Sequence, residues 1–295
     1  MTRKTLFLGL AGRSSSEIRG RQIAATNDNF FYNDQDRIDS SAVHHCDSVV
    51  FVRNFIPGLA NQLRAMGKKV GFDLLDRPVA DIHQKYKTNH SSPQIVWDDY
   101  CGLPCDFLIV NNNLTRRLLL DQHRDLSVHV IPHHTCNFES VENKPVEKVR
   151  TVGYIGLEDQ LSHQKEIRTH LQALDVELVV TNPKTRSEVL EEHKKIDVGL
   201  IYLERGGYYE NVLNFKPNTK LTNFQSFGIP TVACNYQSFL EFGNNAFLRV
   251  ETLDDVFIAL NKIVENRELR KDLRDSGLEN AKKLSISSIS KLYNF

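Results

Sequence analysis

Short apolar runs alternate with stretches of helical spacing along the whole chain. In the first half, residues 4–10, 47–53, 69–76, 105–111 and 127–132 read as buried strands, being short, rich in Val, Ile, Leu and Phe, and bounded by turn residues. Helical spacing falls between them at 17–25, 59–66 (stopped by Gly67) and 114–120. The second half repeats the alternation with strands at 151–156, 176–181, 197–202 and 247–250. Its helices fall at 185–195, 253–264 (capping residues Thr252 and Asp254) and 269–284. Between these, residues 214–233 begin as a polar loop and become a short helix carrying Leu221, Phe224 and Phe227 at i, i+3, i+6. That helix stops at Gly228 and re-emerges through Pro230 as an apolar strand. Strand-helix-strand alternation implies parallel sheets, so the fold class is α/β.

Residues 139–150 are charged, contain Pro145 and lack apolar periodicity, which marks a linker. The expected organisation is therefore a first domain over 1–138, a linker over 139–150, a second domain over 151–284 and a terminal segment over 285–295. With 295 residues, 40% of them hydrophobic, the chain can fill two cores of about 140 residues each.

Charge adds a negative result. The 37 basic and 37 acidic residues balance, so no global field argues for nucleic acid or an anionic membrane. Nowhere do about 18 apolar residues run together, and residues 6–10 are too short for a signal sequence. A cytoplasmic protein without a transmembrane segment is expected, with peripheral membrane docking still open. The five cysteines, of which only Cys101 and Cys105 are near neighbours, suit reduced thiols. No second Cys/His pair stands at zinc-finger spacing, so no metal is expected.

Candidate chemistry concentrates in Lys216-Pro-Asn218-Thr219-Lys220. Two lysines flank small polar residues where a helix leaves its first N–H groups unpaired, so charge, dipole and donors converge as they would on a phosphate. Simple capping by Asn218 or Thr219 explains the same residues. The loop after the first strand contains Gly12 and leads to Arg19, but its spacing is not that of a dinucleotide fingerprint. Asp73 and Asp76 stand at the carboxyl end of the third strand, where open α/β sheets carry ligands and where an aspartate also caps a helix. The fifth strand runs into His133-His134. Adjacent residues of an extended segment point opposite ways, so one histidine at most faces a ligand; His134 is the choice, against a purely structural histidine.

The pattern Lys-Pro-x-Thr-Lys-Leu (216–221) followed by Phe-Gly-Ile-Pro-Thr-Val (227–232) resembles the donor-binding segment of GT-B fold glycosyltransferases. The resemblance covers nearly the whole chain and is strongest over 153–284. It implies two Rossmann-like, doubly wound domains facing across a cleft, with the terminal segment crossing back to the first. It also implies that the turn at Gly156 approaches the sugar or phosphate, that Arg19 and Gly12 belong to the cleft, and that Asp73 and Asp76 lie on the acceptor side. Two departures stand out. Residues 157–165 lack the arginine that many retaining members place before a lysine, leaving only Lys165. The glutamates that such members place eight residues apart correspond to Phe215 and Asn223, neither acidic. Asn223 can still hydrogen-bond a ribose or sugar hydroxyl.

The implied activity is transfer of a sugar from a nucleotide-activated donor to a glycan or glycolipid hydroxyl, in surface polysaccharide biosynthesis. Lys216, Lys220 and the Thr219 helix end would neutralise the leaving phosphate, and Asp76 or His134 would handle the acceptor hydroxyl. The donor is then a substrate and no cofactor is expected. A catalytically silent binding or scaffold domain, and a sugar-nucleotide epimerase of the same fold, stay open.

Overall fold

The computed structural model describes residues 4–33, 38–75, 102–122, 124–204 and 213–295. The chain divides into two compact units, one of Met1–His133, Asn214–Pro217 and Ile286–Phe295, the other of His134–Leu213 and Asn218–Ser285.

The first unit is built on six parallel strands: β1 (Thr5–Leu8), β2 (Phe30–Tyr32), β3 (Ser48–Val52), β4 (Lys69–Leu75), β5 (Phe107–Val110) and β6 (Val128–Val130). Their order is β2-β1-β3-β4-β5-β6, so the winding reverses between β1 and β3. The central strands are buried on both faces, which is why they read as continuous apolar runs, whereas edge strands β2 and β6 are only half covered. Strand β2 and the helix Ser40–His45, capped by Asp39, were not predicted; each is too short to show a period. The helix expected over 17–25 is instead interrupted by a π-helical turn at Glu17–Arg21, flanked by α-helical Ser14–Ser16 and Gln22–Thr26. Ile286–Phe295 joins this unit: Tyr293 meets the Phe7 ring at 5.3 Å and Phe295 meets Phe107 at 4.2 Å.

The second unit carries β7 (Thr151–Ile155), β8 (Glu177–Thr181), β9 (Val198–Ile201), β10 (Thr231–Cys234) and β11 (Leu248–Val250), all parallel in the order β11-β10-β9-β7-β8. Its winding reverses between β7 and β9. The helix Thr219–Ser226 is held on this sheet by Leu221, Phe224 and Phe227, each at most 1% exposed. Phe224 fits only because β9 has a glycine there: a Cβ on Gly199 would stand 2.7 Å from its ring. The helix ends as the sequence suggests. Gly228 turns left-handed (φ 70°) and donates to Gln225 O, and Ile229 donates to Phe224 O, the two bonds of a Schellman motif. The helix over 253–265 begins with a capping box whose acidic member is Asp255, not Asp254.

The boundary differs from expectation. Residues 134–138 group with the second unit, where Asn137 Nδ2 donates to Ser226 O at 2.7 Å. The charged stretch 139–150 is stitched to that unit too: the Asn143 backbone donates to Phe227 O and its side chain to His193 O, both at 2.9 Å.

His193 lies 2% exposed, stacked on Phe227 at 4.6 Å, with Nδ1 donating to Val189 O. Burial pushes its pKa down from 6.5 to about 4. The unfolded chain therefore takes up a proton near pH 6.5 that the folded chain refuses until about pH 4, so this stability is complete above 6.5 and lost on acidification between the two values. The loss amounts to about 3 kcal/mol. Urea unfolding at pH 7.5 and 4.5 should show a smaller drop in His193→Leu than in the wild type; equal drops would contradict the assignment.

Candidate functional site

In a doubly wound sheet, ligands bind outside the carboxyl ends of the strands where the winding reverses. In the second unit this places the site after β7 and β9. Gly156 ends β7 with φ 153°, a conformation open to glycine. A Cβ there would stand 2.8 Å from both Lys220 Cε and the Tyr154 hydroxyl. The Lys220 ammonium lies 5.5 Å from the centre of the Tyr154 ring, close enough for a cation–π contact. Thr219, Lys220 and Gly156 thus converge at one place on the sheet edge.

The helix start itself is arranged unusually. Asn218 occupies the N-cap position with αR backbone, yet its side chain does not cap; it donates to Thr222 Oγ1 at 2.6 Å and is fully buried. Simple capping, one of the two explanations for this residue, is thereby removed. Tyr202 follows β9, is fully buried, and has a hydroxyl without a hydrogen-bond partner among the described residues; burial and Glu204 push its pKa up to about 12. The segment after Gly156 is tied to the same place, since Ser162 N donates to Tyr202 O, Ser162 Oγ accepts from Glu204 N, and His163 Nε2 meets Glu204 Oε2 at 3.0 Å. Tyr154, Tyr202 and His163 were missed in the sequence. No local motif marks them, and only the strand ends bring them together.

Other candidates are placed elsewhere. Lys216 groups with the first unit, on the segment Asn214–Pro217, and Lys220 with the second. That segment is held by two asparagines just after β5: Asn111 Nδ2 donates to Phe215 O at 2.8 Å and Asn112 Nδ2 to Asn214 O at 2.9 Å. Asn223 Oδ1 accepts from Cys136 N at 2.9 Å, so the oxygen expected to meet a sugar serves the backbone. His134 is 2% exposed with Nδ1 donating to Thr135 O, a buried histidine where a ligand-facing one was expected. Lys165 lies exposed on the helix Gln164–Ala173.

Arg19 and Asp73, expected to face a ligand, face each other. They are 1% and 0% exposed, and Arg19 Nε donates to Asp73 Oδ2 at 2.8 Å while Nη1 donates to Ile131 O and Pro132 O. Burial pushes the Asp73 carboxyl up, and the carboxylate in turn holds the guanidinium charged. The β4–β5 register slips between Asp73 and Leu75, and Leu75 takes a left-handed φ of 55°. Gly12 lies in an exposed turn at φ 70°. Asp76 and Cys101 lie outside the described residues. Among the described residues no three His, Cys, Asp or Glu side chains group as a metal requires, and no helix is long and apolar enough to cross a membrane.

Comparison with solved structures decides the fold. The chain is similar to a sucrose-phosphate synthase from Thermosynechococcus elongatus at a TM-score of 0.64 and 12% identity, covering 98% of this chain and 96% of that one. It is similar to Anabaena HepE solved with UDP and glucose, at 0.60 and 12% identity, over 98% and 97%. A glycosyltransferase from Rickettsia africae gives 0.58 at 11% identity, over 98% and 96%. The fold is GT-B. Against a chain of the GtfA/B complex (TM-score 0.55, 13% identity) the match covers 83% of this chain but 56% of the other, so this GT-B chain spans little more than half of that relative. No family model matches the sequence, and no curated protein does.

Proposed function

We propose that the protein is a glycosyltransferase moving a sugar from a nucleoside-diphosphate donor to a glycan or glycolipid hydroxyl, in surface polysaccharide assembly. The observation that supports this best is the convergence of Lys220, the helix start at Thr219 and the side-chain-free Gly156 on the carboxyl edge of β7. When the bond between the sugar's anomeric carbon and the phosphate oxygen breaks, negative charge grows on the diphosphate. An ammonium and a helix N-terminus fixed in advance stabilise that charge without reorganisation. In this reading the ammonium and the helix end stand where a resident metal would otherwise act. The acceptor oxygen forms the new bond and gives up its proton; Asp76, next after β4, is the assigned base, ahead of the buried His134.

The test is calorimetric titration of uridine, guanosine, cytidine, adenosine and thymidine diphosphates against wild type and Lys220→Ala. Uridine comes first because the Anabaena protein was solved with UDP. Selective binding of one nucleotide, weakened about tenfold by Lys220→Ala at unchanged melting temperature, is expected, in line with the loss of one charge-assisted contact. The same titration with Lys216→Ala asks whether that lysine shares the load. Absence of binding by all five nucleotides would sink the donor site. A second reading, a silent binding domain, is favoured by one observation: both positions that correspond to the paired glutamates are otherwise engaged, Phe215 in burial and Asn223 with Cys136. It predicts nucleotide binding with no donor hydrolysis or transfer.

A further inference from the structure

At the opposite edge of the second sheet, below β9 and β10, lies a cavity of about 410 Å³. Five cations line it: Lys144, Arg267, Arg270, Lys271 and Arg274. Arg270 is 5% exposed, and its two Nη atoms donate to four carbonyls, those of Ile263, Val264, Val146 and Glu147. Its Nε has no acceptor, and among the described residues no carboxylate pairs with it. The nearby Nε of Arg274 is likewise buried without a partner. Burial, and then the neighbouring charge of Arg267, pull the Arg270 pKa down, against the opposing attraction of Glu147 and Asp197.

The acidic residues in and beside the wall offset this charge only in part: Arg267 pairs with Glu147, and Arg274 with Glu142 as well as Asp275. Asp197 is occupied by the backbone N–H groups of Arg150 and Thr151, at 2.7 and 3.0 Å, and Asp275 by Arg274 at 2.9 Å. Glu268 remains, against Lys144 and Lys271, which are exposed and have no partner among the described residues. The helix Arg267–Lys283 also begins here, so its positive end adds to the field. A buried arginine whose Nε is unsatisfied, two lysines without a partner among the described residues and a helix start thus surround one space.

We propose that this cavity is an anion site for a phosphate monoester, separate from the donor edge. Its volume exceeds that of a phosphate and falls in the range of small-molecule pockets, leaving room for a sugar-sized body on the ester. The phosphate would sit between Lys144 and Lys271 against the arginine floor. Gly228, Ile229 and Pro230 form part of the wall, so the ligand would touch the far end of the helix Thr219–Ser226 that carries Lys220. This inference does not depend on the glycosyltransferase reading.

Inorganic phosphate, glucose 6-phosphate and glucose are titrated calorimetrically into the full chain, into a Lys144→Ala/Lys271→Ala variant and into Lys220→Ala. Saturable 1:1 binding of at least one phosphate compound is expected, with none for glucose. It should weaken at least about tenfold in the double variant and persist in Lys220→Ala. Tighter binding of glucose 6-phosphate than of phosphate identifies a sugar phosphate as the ligand, and equal affinity identifies free phosphate. Both lysines are exposed and have no partner among the described residues, so the double variant should melt as the wild type does, and phosphate should raise the melting temperature of the wild type and of Lys220→Ala but not of the double variant. Absence of binding, binding kept by the double variant, or binding abolished by Lys220→Ala would each overturn the proposal.

Discussion

Arg19→Ala is expected to destabilise the first unit by about 3–5 kcal/mol, the usual cost of removing one partner from a buried ion pair. The side chain is 1% exposed and neutralises Asp73, which is 0% exposed in the middle of a six-stranded sheet. Its guanidinium also serves the Ile131 and Pro132 carbonyls and lies 5.6 Å from the centre of the Tyr293 ring, while the Tyr293 hydroxyl reaches Asp73 at 3.5 Å. Removing Arg19 leaves the buried Asp73 carboxylate without the cation that pairs with it. The Asp73→Leu substitution should cost a similar amount by stranding the guanidinium. The double substitution Arg19→Met/Asp73→Leu should be more stable than either single variant, because an apolar pair of similar volume needs no desolvated charge. Urea unfolding of the four proteins tests this. A loss of under about 0.5 kcal/mol in Arg19→Ala, the size of an ordinary surface substitution, would show that the pair does not carry the unit.

Gly156→Ala should act on stability and on ligand binding together. At φ 153° an L-residue is strained by roughly 1–3 kcal/mol. The added methyl would also stand 2.8 Å from Lys220 Cε and from the Tyr154 hydroxyl. Tyr154 is fully buried and cannot yield, so the lysine must move away from the sheet edge. The expected outcome is a lowered melting temperature together with a drop of about tenfold or more in nucleoside-diphosphate affinity. Lys220→Ala, by contrast, should lose affinity without losing stability. Calorimetry and thermal melting on both variants separate the two effects. Unchanged affinity in Gly156→Ala would remove Gly156 from the site.

The helix Thr219–Ser226 was legible in the chain because everything that defines it is local: an apolar stripe three residues apart, a polar start and a left-handed glycine stop. Arg19 and Asp73 show the opposite. Each looked like a ligand residue from its position at a strand or helix boundary. What consumes both is a contact across 54 residues, reinforced from Tyr293 a further 220 residues from Asp73. The two asparagines after β5 carry no motif, yet they hold the chain just before Lys216. The cationic cavity was equally silent, since the charged face of an amphipathic helix reads as solvated until a second wall covers it.

The amino-acid sequence by itself determined the α/β class, most of the strands and the lysine-bearing helix start, because the period of apolar residues and the chemistry of turns are properties of neighbouring residues. Tertiary structure alone decided which polar residues face solvent and which neutralise each other. It also set the unit boundary at His133/His134 and assigned Lys216 and Lys220 to different units. The physical reason is that desolvation and pairing depend on what lies across the sheet, and residues distant in the chain meet there only once it has folded.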